Sequence, residues 1–184
     1  MHKLYLAIFT LFSLSGPKVL TPITMDLTGE VDSQMVETVK ETLAKTDGPV
    51  TIRITSPGGS LFAAIQIENA IEDHGNVTCI ARGYAASAAA SILESCQIRK
   101  ATSDSIVMLH QVALTNTGDS SVRERDAENT KNTLKALDYA LCVQLTKRAL
   151  ITHDQMCKMI ADGKEVWLTA PQALKLGLID QIIP

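Results

Sequence analysis

The feature that most restricts the fold of this chain is the regular exchange of short β-branched runs for helical stripes. Val50-Thr51-Ile52-Arg53-Ile54 reads as a strand and runs into Ser56-Pro57-Gly58-Gly59-Ser60. A helical stripe follows, with Leu61, Ala64, Ile65 and Ile71 on one face. Residues 25–31 predict an earlier strand. Asp32 and Ser33 offer helix caps before the stripe Met35, Val36, Val39 and Leu43. Residues 76–81 predict a further strand, 87–95 an alanine-rich helix, and 106–109 a strand ending at His110. Leu134, Leu137, Leu141 and Leu145 stripe a long charged stretch over 120–150. Thr152 and Gln155 fit a capping box that opens a short helix stopping at Gly163. A small helix from Pro171 and an apolar strand near Ile179 close the chain. Strands alternating with helices predict an α/β fold with mostly parallel strands.

In such folds chemistry collects at the carboxyl ends of strands. Three predicted strand ends here carry glycine or polar groups: Pro57-Gly58-Gly59, the run Gly83-Tyr84-Ala85-Ala86-Ser87-Ala88-Ala89, and His110-Gln111. Ser87 stands among small residues that leave its hydroxyl uncrowded. A serine hydroxyl needs a base, and imidazole titrates in the right range. The tetrahedral intermediate needs fixed N–H donors. Gly59 offers one, and Ala88, at a helix start, offers a second. Taken alone, the Ser87 run also fits a plain helix start packed on a strand, and Gly58-Gly59 a plain turn.

These blocks, together with Leu168-Thr169-Ala170-Pro171-Gln172-Ala173-Leu174-Lys175-Leu176-Gly177-Leu178-Ile179-Asp180, occur in the order and approximate spacing of ClpP, the proteolytic subunit of the Clp protease. The chain resembles a divergent member of that serine peptidase family over roughly residues 25–182. The resemblance implies the ClpP/crotonase-like fold of repeated strand-strand-helix units with a protruding long helix. It implies Ser87 as nucleophile, His110 as base, and Gly59 and Ala88 as oxyanion donors. The family's triad aspartate falls at Glu165, one methylene longer, with Asp162 as the alternative. A homo-oligomeric ring is implied, heptameric and stacked in pairs, acting on peptides or unfolded protein without a cofactor of its own. Any ATP would belong to a separate Clp-type unfoldase, since no Walker-type loop is present. Two further departures stand out. Val112 follows the His-Gln pair where the family has proline, and the segment before Leu27 is unlike the family's axial loop. The other readings are a ring or scaffold subunit that has lost activity, and a crotonase-type acyl-CoA enzyme. The charged run over 121–135 reads equally as a solvated helix face and as a ring contact.

Composition narrows the classes further. The 184 residues carry a net charge of −3 with no basic stripe, which disfavours nucleic acid as a partner. The four cysteines have no C-x-x-C spacing, and none is set beside a histidine in a zinc-motif pattern, so no metal site is expected. Cys79 reads as a buried free thiol, with one disulfide as the alternative in an exported protein. His153 reads as a surface or cap residue. Residues 1–24 are set apart from a protease domain over 25–184. Lys3, the apolar run from Leu4 to Phe12, and Ser13-Leu14-Ser15-Gly16 have the order of a secretory signal, or form a packing arm. The run is too short to span a bilayer. A cytoplasmic protein is expected, with export as the alternative.

Overall fold

The computed structural model describes residues 20–113 and 124–184, the side chains of 124–127 excepted. Up to residue 19, the segment read as a signal or an arm lies outside the described residues, as does the start of the charged run over 121–135.

The expected alternation is present. Strands β1 (Ile23–Val31), β2 (Val50–Gly59) and β3 (Val77–Ala86) alternate with helices α1 (Ser33–Ala44), α2 (Leu61–His74) and α3 (Ala88–Ser95). Then come β4 (Ile98–Thr102), β5 (Ile106–Leu109), α4 (Glu124–Thr146), α5 (His153–Ile160), β6 (Val166–Thr169), α6 (Ala170–Leu176) and β7 (Gln181–Ile183). One sheet runs β1-β2-β3-β4-β7, with β5 paired to β3 and β6 to β5. Every pairing is parallel except β5 with β6.

Two strands are longer than their β-branched runs suggest. The Ser-Pro-Gly-Gly segment belongs to β2, because Gly58 and Gly59 pair with Glu30 and Val31 of β1 beyond a register shift near Gly29. The Gly-Tyr-Ala-Ala segment belongs to β3, which serves two partners in turn. Its first half pairs with β4, and Tyr84 to Ala86 pair with β5. Buried Ser105 stands at the fork. Its hydroxyl accepts from Gly83 N at 3.0 Å and approaches the Ala81 carbonyl as donor at 2.9 Å. Two backbone groups at the point where β3 changes neighbours, Gly83 N–H and the Ala81 carbonyl, thereby find a partner.

Small side chains explain the position of α3. All eight of its residues are buried, and its alanines allow close approach to the sheet. Among its described side chains, the long helix α4 is buried only toward its end, at Leu141, Cys142, Gln144 and Leu145, while residues 128–140 are half-buried or exposed. The Thr152–Gln155 capping box opens α5 as the sequence predicts.

The C-terminal block is anchored by charge. Arg99 of β4 donates through Nη2 to Asp180 Oδ1 and through Nη1 to Glu94 Oε2, both at 2.6 Å, and through Nη1 to the Gly177 carbonyl at 2.8 Å. Paired and bonded in this way, a buried guanidinium is tolerable. Burial pushes the Glu94 carboxyl up to about 8 against the pull of Arg99.

All four cysteines are bonded, Cys79 to Cys96 and Cys142 to Cys157. This corrects the reading of Cys79 as a free thiol. The fold sets the buried Cys79 of β3 against the cysteine that ends α3, a juxtaposition invisible in the linear spacing. No described helix is long and apolar enough to cross a membrane.

Candidate active site

Ser87 occupies the turn between β3 and α3 with φ 55° and ψ −124°. A non-glycine residue rarely adopts positive φ, and one that does is held there by its surroundings. Two neighbours hold it. Ser87 N donates to the Met108 carbonyl of β5 at 2.8 Å, and Gly58 packs directly under the turn. A Cβ at Gly58 would lie 2.6 Å from the Ala86 oxygen, 2.7 Å from Ser87 Cβ and 2.9 Å from Ala88 N. Only glycine fits there, and its absent side chain leaves the Ala88 amide uncovered.

The Ser87 side chain makes no capping bond to α3, although the residue stands at the N-cap. Serines at that position ordinarily accept from the first helical turn. Ser87 lines a cavity of about 420 Å³ together with Gly59, Ala88 and His110, and with Glu30, Phe62, Gln111, Leu137 and Leu141 among others. Four of the five residues proposed from sequence therefore meet at one cavity. Ala88 is the first residue of α3, so its N–H has no intrahelical acceptor and sits at the positive end of the helix. Gly59 also lines the cavity, with φ 151°; a Cβ there would lie 2.5 Å from the Val31 carbonyl.

His110 leaves the end of β5 beside Ser87, because Ala86 and Met108 are register partners. Its Nδ1 faces the carbonyl of Gln111. A carbonyl only accepts, so the proton sits on Nδ1 and Nε2 is left as the acceptor, the tautomer a general base needs.

The fifth residue, Glu165, is outside the cavity lining. Its carboxylate accepts from Trp167 Nε1 at 3.1 Å. Asp162, at φ 63°, is paired with Lys164 at 3.7 Å. Among the described residues, the imidazole is bonded to the Gln111 carbonyl and to neither carboxylate.

A residue that the sequence reading passed over supports this segment. Asp138 of α4 accepts from Val112 N at 2.7 Å and from Gln111 Nε2 at 3.0 Å, and Gln111 Oε1 accepts from Gly163 N at 3.2 Å. Helix α4, the base-bearing segment and the loop before β6 are thus joined through one amide side chain. Two signals pointed to it: an acid within the stripe Leu134, Leu137, Leu141, and an N–H at Val112 in place of proline.

Potential metal ligands gather elsewhere. Among the described residues one group of three comes together, Cys142, His153 and Cys157, and none of them lines the cavity.

The family model described as Clp protease matches residues 15–184. The ATP-dependent Clp protease proteolytic subunit of Bacteroides thetaiotaomicron is 29% identical over 163 residues, covering 84% of this chain and 71% of that protein. The protein of the same name from Bacteroides fragilis is 30% identical over 138 residues, covering 73% of this chain and 63% of its own length. Proteolytic subunit 1 of Protochlamydia amoebophila is 31% identical over 141 residues, with 73% and 65% covered. The chain spans less than two thirds of the length of the latter two. A match to the Clp protease family model along residues 15–184 places this chain in the Clp protease family.

Proposed function

We propose that this protein is a serine-type endopeptidase that cleaves peptides or unfolded proteins inside a homo-oligomeric, heptameric ring. The observation that carries the reading is that Ser87, whose side chain makes no capping bond, lines the same cavity as His110. Ser87 Oγ attacks the scissile carbonyl while His110 Nε2 takes its proton. The Gly59 and Ala88 amides hold the oxyanion. His110 then returns the proton to the leaving amine, and water hydrolyses the acyl-enzyme by the same route. Glu165 serves as the acid that stabilises the imidazolium, with Asp162 as the alternative. In the arrangement described above, the Gln111 carbonyl keeps the tautomer that this acid would keep. Exposed Phe62, Tyr139, Leu150 and Trp167 supply apolar surface for contacts between subunits. A Clp-type ATPase, where it acts, is a separate protein.

Peptide hydrolysis by the assembled wild type and by Ser87→Ala tests the reading. A loss of roughly 1,000-fold or more is expected. A loss under about tenfold contradicts it and favours the inactive scaffold. Hydration of an enoyl-CoA would point instead to the crotonase-type reading.

One observation favours export over the cytoplasm: both cysteine pairs are bonded, and such bonds persist in oxidising compartments. The N-terminal apolar run would then be a cleaved signal. A free-thiol count and an N-terminal sequence on native protein decide between the two.

A further inference from the structure

The start of α5 packs against α4 through a cluster that the peptidase reading does not use. Cys142 is buried on α4. His153 and Cys157 lie four residues apart on α5, hence on one helix face. The two sulfurs and a ring nitrogen of His153 all lie within 4.8 Å of one another. His153 Nε2 is 3.7 Å from Cys157 Sγ, and Nδ1 is 3.1 Å from Asp154 Oδ1. The Tyr139 ring covers the imidazole, with centroids 4.7 Å apart.

We propose that, once the Cys142–Cys157 bond is reduced, Cys142, His153 and Cys157 bind a zinc-class divalent cation, so that α4 and α5 are tied by a disulfide in the oxidised protein and by a metal in the reduced one. The donor set is the soft thiolate–imidazole combination that selects zinc. The spacing also fits. A tetrahedral zinc with ordinary Zn–S and Zn–N lengths holds its sulfur and nitrogen ligands about 3.6 Å apart, close to the 3.7 Å between Cys157 and His153. Asp154 holds Nδ1–H and directs Nε2 at the metal, the usual carboxylate support of a ligating histidine. A water completes the four positions.

The chemistry balances with a dithiol as reductant. Its thiolate attacks Cys157 Sγ, the half-buried sulfur, and Cys142 leaves as thiolate. The second thiol then closes on the mixed disulfide, releasing Cys157 and a cyclic disulfide. Metal binding displaces the remaining thiol protons. The other pair is less open to attack, since Cys79 and Cys96 are both buried. Linear spacing does not reveal this cluster, because its ligands come from two helices that only the fold brings together.

The test uses the full chain, reduced with a dithiol, freed of reductant without oxygen, and titrated with Co²⁺ alone. One equivalent is expected to give thiolate-to-cobalt charge-transfer absorption and tetrahedral ligand-field bands, which Zn²⁺ abolishes. Oxidised protein gives neither. His153→Ala and Cys157→Ser, each checked for folding by thermal melting, lose the saturable bands. Asp154→Ala weakens binding roughly 10- to 100-fold. Reduced wild type without bands, or bands unchanged in both His153→Ala and Cys157→Ser, would overturn the proposal. None of these readouts depends on peptidase activity.

Discussion

Asp138 accepts the backbone N–H of Val112 at 2.7 Å, two residues beyond His110. The family has proline at that position, where no N–H exists and the ring itself restrains the backbone. Here the restraint is a charge-assisted hydrogen bond from α4, doubled by Gln111 Nε2.

Removing that clamp is expected to displace the base without unfolding the protein. Asp138→Ala should lower kcat for peptide hydrolysis roughly 10- to 100-fold, with KM little changed. Val112→Pro in the same background should recover much of the loss, since proline supplies the stiffness by other means. Equal damage in the single and double variants, tracking a fall in thermal stability, would mean that Asp138 only supports the fold.

Gly58 makes the serine turn possible. Gly58→Ala places a methyl 2.7 Å from Ser87 Cβ and 2.9 Å from the Ala88 nitrogen, at a φ of 93° that alanine resists. The expected result is near-complete loss of hydrolysis and destabilisation of about 1–3 kcal/mol, read by denaturant unfolding. Activity within a factor of two of wild type would show that the turn is not under this constraint.

In the proposed mechanism the acid is separable from the serine and the base. Glu165→Ala should cost roughly 100-fold in kcat, less than Ser87→Ala, because the Gln111 carbonyl still fixes the tautomer while no charge offsets the imidazolium. Asp162→Ala should have little effect. The reverse ranking in a peptide-hydrolysis assay would move the role to Asp162.

Glu94 makes stability depend on pH. Burial holds its carboxyl up at about 8 in the folded protein, against an ordinary value of 4.5. Between these values the folded state retains a proton that the unfolded chain has released. Stability from this group therefore falls as pH rises from about 4.5 to about 8. Glu94→Gln keeps an acceptor for Arg99 and should flatten the thermal midpoint across that range. An unchanged slope would assign the pH dependence to other groups.

The sequence made much of this site legible. Ser87, His110, Gly59 and Ala88 follow strand or turn signals, and parallel pairing brings strand ends together without further information. What it left obscure depends on contacts between distant segments. The fork in β3 needs Ser105, a residue with no local signature. The extension of β2 through Pro57 and both glycines needs β1 beside it. The Cys142–His153–Cys157 cluster joins two helices whose relative placement no periodicity encodes. Glu165 was placed by correspondence alone, and its carboxylate is bonded to Trp167 rather than to the base.

The central claim is that Ser87 is an activated nucleophile. Labelling of the assembled protein with a fluorophosphonate, read by intact mass and by mapping the modified peptide, tests it directly. The account predicts one label per subunit, on Ser87, abolished in Ser87→Ala and strongly slowed in His110→Ala. No label on the assembled wild type, or a label that survives Ser87→Ala, would contradict it.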